Sequence, residues 1–185
     1  WYTLAAEKGD MYAQCNLGAM CRRGEGVEKD LVQAAHWFKK AAVQGNDGAQ
    51  YFLGFAYYYG EGVEKDLKRS VHWFRKAAEQ GSIEGWYSLG VACQNGEGLK
   101  KNLNAAARWY TLAAEKGDMY AQCNLGDMCR RGEGVEKNLV QAAHWFKKAA
   151  EQDDLNAQYN LGDMYYKGEG VEKDLARAAH WYTKA

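Results

Sequence analysis

The sequence predicts an all-α protein of stacked helix-turn-helix units, and three observations carry that expectation. A tryptophan falls every 36 residues, at Trp1, Trp37, Trp73, Trp109, Trp145 and Trp181. A glycine turn keeps the same step: Gly24-Glu25-Gly26-Val27 returns as Gly60-Glu61-Gly62-Val63, Gly96-Glu97-Gly98-Leu99, Gly132-Glu133-Gly134-Val135 and Gly168-Glu169-Gly170-Val171. The 185 residues contain no proline, as suits helices joined by glycine turns. Self-similarity at a fixed period of this length marks one supersecondary unit stacked on copies of itself.

Residues 1–9 read as the end of a preceding second helix, and units follow at 10–45, 46–81, 82–117, 118–153 and 154–185. In the first unit, Ala13, Leu17, Met20 and Cys21 fall at helical spacing, with Gly18 where a neighbouring helix must come close. Gly24 ends that helix, because glycine accepts the left-handed conformation at a C-terminus. Gly26 and Val27 continue the turn, and Asp30 (Asn102 and Asn138 in other units) is the expected N-cap of the second helix. That helix places Ala34, Trp37, Phe38, Ala41 and Ala42 on one face and stops at Gly45. The small residues let helices approach, and the aromatic pair is expected to fill the gap between layers. The chain opens and closes inside a repeat, so it is expected to be a fragment of a longer array. Trp1 and Trp181 should then be exposed at uncapped ends, through which end-to-end self-association could run.

Bulk properties narrow the function classes. Hydrophobic residues make up 47% and charged residues 26%, enough for a buried core in a soluble chain. Lys+Arg and Asp+Glu both number 24, which leaves no field to gather nucleic acid. No apolar run approaches the roughly 18 residues of a membrane span, so membrane insertion is not expected. Cys15 and Cys21 recur as Cys123 and Cys129, with Cys93 in the register of Cys21. A spacing of six turns two side chains to different sides of one helix, so neither pair can bridge locally. Reduced thiols are the expected state, which leans toward a cytoplasmic compartment over a periplasmic or secreted one.

The fullest unit reads Ala157, Leu161, Gly162, Tyr165, Gly168, Gly170, Val171, Asp174, Ala178, Trp181, Tyr182, Lys184 and Ala185. This pattern resembles the Sel1-like repeat, a relative of tetratricopeptide repeats, and the resemblance covers the whole chain. It implies a right-handed α-solenoid and an adaptor role, as in endoplasmic-reticulum quality control or bacterial host interaction. It also implies that first-helix residues off the Leu17/Cys21 face line a concave groove.

Positions that hold the framework barely vary, so function is expected where the units differ. The second unit concentrates Tyr51, Phe55, Tyr58 and Tyr59, and the third offers Tyr87. Trp86 replaces the glutamine found in every other unit. Arg22-Arg23 and Arg130-Arg131 stand on either side, and Tyr166 follows in the fifth unit. Tyrosine and arginine dominate binding hot spots, and arginine forks hold carboxylates. The expected partner is therefore a protein or peptide, with an acidic or C-terminal segment as the finer expectation. In the competing reading the tyrosines pack between layers and the arginines are solvated. Residues 1–42 and 109–150 differ only at Ala19/Asp127 and Asp30/Asn138, which reads as duplication of a block or as two matching surfaces for an elongated ligand.

No catalytic, cofactor-binding or metal-binding residue is expected. His36, His72, His144 and His180 sit on separate units, about 8–10 Å or more apart, too far to share a metal. Gly-x-Gly lacks the lysine and Ser/Thr of a phosphate cradle. Some cysteine-rich relatives carry a β-lactamase label, but Ser70, Ser82 and Ser88 each lack a lysine three residues on, and Lys-Thr-Gly is absent. An interaction scaffold is the leading reading, a structural spacer in a longer array the second, and a β-lactamase-like enzyme a remote third.

Overall fold

The computed structural model describes residues 2–185, with side chains from Thr3 onward, so the expectation for Trp1 lies outside the described residues. Eleven helices and no strand occur among them. The helices are α1 (Tyr2–Glu7), α2 (Met11–Arg23), α3 (Leu31–Val43), α4 (Asp47–Tyr59), α5 (Leu67–Glu79), α6 (Ile83–Asn95), α7 (Leu103–Glu115), α8 (Met119–Arg131), α9 (Leu139–Ala150), α10 (Leu155–Lys167) and α11 (Leu175–Lys184). The chain forms two compact units, Trp1–Ala92 with Gly96–Lys100, and Cys93–Asn95 with Lys101–Ala185. In the first, each helix from α1 to α5 packs on the next; in the second, the same holds from α7 to α11.

Local sequence sets the hairpins. The Asp10 carboxylate accepts from the Ala13 amide at 2.7 Å and opens α2. Asp30 accepts from the amides of Val32 and Gln33, both at 2.9 Å, and opens α3, as its position before the second helix predicted. Gly24 closes α2 at φ 75°. At the turn after α9 the register that holds glycine in Gly45, Gly81 and Gly117 holds Asp153, which takes φ 65°.

Two glycines do more than turn the chain. A Cβ on Gly54 would come within 2.6 Å of the Phe74 ring, so α4 and α5 can close only because position 54 has no side chain. The second glycine of the turn, Gly62, lies against the Leu31 carbonyl of the preceding hairpin, where a Cβ would collide. The Gly-x-Gly motif therefore pairs a helix stop with a hairpin-to-hairpin contact.

The core is alanine-rich and closed by one large buried ring in each hairpin from α2 to α9, Phe38, Phe74, Tyr110 and Phe146. Phe38 is 1% exposed and stacks on Phe52 at 5.0 Å between ring centres. In the second unit Tyr110 and Phe146 are equally enclosed, and the Tyr110 hydroxyl donates to Gln94 Oε1 at 2.6 Å. The sequence placed both members of the Trp-Phe pair between layers. Only Phe38 is there. Trp37 is half-buried at the core edge, with the Lys40 ammonium 4.6 Å from its ring centre and His36 edge-on at 5.4 Å. Trp145 repeats the arrangement with Lys148 and His144, and Trp181 with Lys184 and His180, so Trp181 is half-buried where the sequence predicted it exposed.

Buried glutamines tie hairpins together. Gln14 donates to the Ala6 carbonyl at 3.0 Å, and its own Oε1 accepts from Gln44 at 2.8 Å. Gln50 repeats this with Ala42 and Gln80, and Gln122 with Ala114 and Gln152. Each relay gives a second donor to a carbonyl near a helix end that already accepts from the amide three residues on, as Ala42 does from Gly45 at 3.1 Å.

Candidate partner-binding face

In the first unit, α4 carries Tyr51, Phe55, Tyr58 and Tyr59, and α6 carries Tyr87, Ser88 and Val91. Together with Phe74 of α5 they line a cavity of about 190 Å³. Helical spacing explains the cluster: residues 51, 55, 58 and 59 fall at steps of three and four along one face. Tyr51 and Phe55 lie 6.3 Å apart between ring centres, Phe55 and Tyr59 4.4 Å, and Tyr58 and Tyr59 4.8 Å. Tyr59 is 59% exposed, whereas Tyr51, Phe55, Tyr58 and Tyr87 are half-buried. Tyr57, between these residues on α4, is buried in the core.

Charged groups frame the rings. The Arg22 Nε donates to Glu61 Oε2 at 2.8 Å, and its guanidinium carbon stands 4.4 Å from the Phe55 ring centre. The Tyr58 hydroxyl donates to Glu97 Oε2 at 2.7 Å, and the Lys65 ammonium lies 5.9 Å from the Tyr58 ring. That hydrogen bond, with burial second, pushes the Tyr58 phenol up to about 12. In both contacts a first-helix residue meets the glutamate of a Gly-Glu-Gly turn 39 residues later. Sequence reasoning passed over Glu61 and Glu97 because an unvarying glutamate reads as part of the turn. The recurring 39-residue offset between positions 22 and 58 and these glutamates was the signal available.

The remaining candidate residues lie apart from the cavity. The Trp86 indole N–H donates to the Ala78 carbonyl at 3.0 Å, the same kind of bond that Gln14, Gln50, Gln122 and Gln158 make to a carbonyl eight residues back. Arg23 is exposed and pairs with Glu25 at 2.9 Å. In the second unit Asp127 takes both Arg130, at 2.8 Å, and Arg131, at 2.9 Å. Ala19 occupies that register in the first unit, which leaves Arg22 to reach Glu61. One of the two differences between the near-duplicate blocks thus reassigns the arginines. Tyr166 is exposed, with the Lys173 ammonium 5.8 Å from its ring.

The cysteines are thiols, and burial pushes four of them up, Cys21 and Cys129 as well as Cys15 and Cys123. Desolvation, then the Asp47 carboxylate, pushes Cys15 up to about 11; desolvation, then Asp154, pushes Cys123 up to about 12. Among the described residues no group of three or more His, Cys, Asp and Glu side chains could hold a metal ion, and no helix is long and apolar enough to cross a membrane.

Comparison with known proteins fits this geometry. The protective antigen c5321 of uropathogenic Escherichia coli, described as displaying an SLR fold, superposes with a TM-score of 0.96 at 42% identity over 100% of this chain. The chain spans 39% of that protein's length. A Sel1 repeat protein from Oxalobacter formigenes gives a TM-score of 0.89 at 38% identity, over 95% of this chain and 70% of its own. Helicobacter pylori cysteine rich protein B gives 0.55 at 30% identity, over 72% and 96% respectively. No curated protein matches by sequence. A family model described as Sel1 repeat matches residues 1–10, 12–46, 48–82, 87–118, 120–154 and 155–185, and the chain belongs to the Sel1 repeat family.

Proposed function

We propose that the chain is a protein-interaction scaffold that holds a partner segment on its first-helix face, seated in the aromatic cavity between α4 and α6. The observation that carries this reading is the cavity itself. Five phenylalanine and tyrosine rings of α4 and α6 gather at one solvent-reaching site, while the corresponding register in α2 and α8 holds Cys15 and Cys123 in place of Tyr51. Large rings that are half-buried in the free protein supply contact area at small entropic cost. Sel1-repeat proteins generally act as protein-interaction scaffolds, and their fold is generally non-enzymatic.

The finer expectation of an acidic or C-terminal segment depends on the arginines. A carboxylate arriving at Arg22 competes with Glu61 at 2.8 Å, and one arriving at Arg130 or Arg131 competes with Asp127. The ring cluster carries more of the proposal than the forks do. Panning random dodecapeptides displayed on phage against the chain tests it. Recovered peptides are expected to bind saturably and to lose at least about tenfold in affinity when Tyr58 and Tyr59 are both changed to Ala, with helicity unchanged. Recovered peptides that bind the double variant as well as wild type would refute the cavity as the seat. A chain that recovers none would be read as a spacer.

A further inference from the structure

We propose that the partner segment anchors itself in the aromatic cavity with an aromatic side chain, whose ring takes the space that Ser88 leaves unfilled. This rests on the cavity being the partner site. The preceding hairpin supplies the comparison. There the register of Ser88 holds Phe52, which stacks on Phe38 at 5.0 Å between ring centres and 23° between planes. The seam lined by Arg22, Phe38 and Phe52 has no room for a water molecule. Phe74 holds the register of Phe38, and each ring lies against a glycine of its own hairpin, Phe38 against Gly18 and Phe74 against Gly54. At position 88, however, α6 offers Phe74 no ring. The other units carry Asn16, Asn124 and Asn160 in that register, so serine is its smallest occupant. Val91 likewise stands in the register of Phe55. Where two rings stand in the earlier layer, a cavity of about 190 Å³ remains beside Phe74, Ser88 and Val91.

Charge and volume select the same guest. No side chain that lines the cavity is charged, so an ion entering it would give up water without a counter-charge in the lining. The chain's own cations already stand near lining rings, Arg22 at 4.4 Å from the centre of Phe55 and Lys65 at 5.9 Å from that of Tyr58. An entering lysine or arginine would therefore meet like charge. A neutral ring meets Phe55, Tyr59 and Phe74 without that cost, and ring pairs add attraction beyond the area they bury. An apolar cavity of about 150 Å³ is enough to take benzene. One ring fits in about 190 Å³, and a helix or a strand does not.

The peptides recovered by panning supply the test. In each, every aromatic residue is replaced in turn by leucine, which keeps an apolar side chain and removes the ring. Affinities are read by fluorescence anisotropy. One replacement per peptide is expected to weaken binding by about three- to tenfold, the order of the ring-specific part of an aromatic contact. Ser88→Phe supplies the ring from within the chain, and should cost each peptide at least about tenfold with the helical spectrum intact. Ser88→Ala leaves the space open and should stay within about twofold of wild type. Peptides without an aromatic residue, or whose leucine replacements all cost less than about twofold, would overturn the aromatic anchor. A folded Ser88→Phe chain that binds as well as wild type would overturn it too. Should Ser88→Phe lose its helical spectrum, the leucine replacements alone decide. Sensitivity to Tyr58→Ala/Tyr59→Ala decides separately whether the cavity reading stands. A library that yields no binder overturns both.

Discussion

Gly26 and Gly62 share one backbone conformation, φ 70°, and one place in the turn motif, yet they meet different neighbours. A Cβ on Gly26 would touch only the flexible end of Met20, 3.3 Å from Cε. On Gly62 it would collide with the Leu31 carbonyl and lie 2.7 Å from the Val32 nitrogen, both backbone atoms of the preceding hairpin. Alanine in the left-handed region costs about 1–2 kcal/mol in either place. Only at Gly62 is an overpacking cost of about 1–3 kcal/mol added, because backbone cannot swing aside as a methionine tip can. Gly26→Ala should therefore lose about 1–2 kcal/mol and Gly62→Ala about 2–5 kcal/mol. Urea unfolding followed by far-ultraviolet circular dichroism reads both values. Equal losses for the two variants would refute the claim that the second glycine is a hairpin-to-hairpin contact.

Asp153 adopts φ 65°, so Asp153→Gly should raise stability by about 1 kcal/mol in the same urea assay; a loss would contradict it. Gln50→Ala removes the donor to Ala42 and the acceptor for Gln80, and should cost about 1–3 kcal/mol, visible as a lower thermal midpoint. The raised phenol of Tyr58 favours its neutral form in the folded protein. Its contribution to stability is whole below the ordinary tyrosine value of 10 and is lost as pH climbs through about 12. The absorbance difference between wild type and Tyr58→Phe should accordingly titrate near pH 12, and a midpoint near 10 would deny the Glu97 bond.

The framework was legible because each local signal repeats. The N-caps Asp30, Asn102 and Asn138, the stop at Gly24 and the alanine face of α3 are read from neighbouring residues alone, and the structure has them as expected. What stayed hidden depends on residues far apart in sequence. Trp86 breaks the glutamine pattern, so it reads as a free surface feature. An indole N–H and an amide N–H are both donors, however, and Trp86 serves the carbonyl that a glutamine would. The depth of Trp37 was overestimated because periodicity marks a face without its edge, and the following Phe38 takes the centre. The gathering of Tyr51, Phe55, Tyr58 and Tyr59 could be read from helical spacing. Their enclosure by Phe74, Ser88 and Val91, and the carboxylates of Glu61 and Glu97, required the hairpins to be stacked.

Hydrogen exchange with and without a saturating panned peptide tests the partner seat most directly. Protection is expected to rise in residues 51–59 and 87–91, the segments of α4 and α6 that line the cavity, and to stay unchanged in α8 and α10. Protection confined to the second helices, or to residues 119–167, would contradict the placement of the partner on the aromatic cavity.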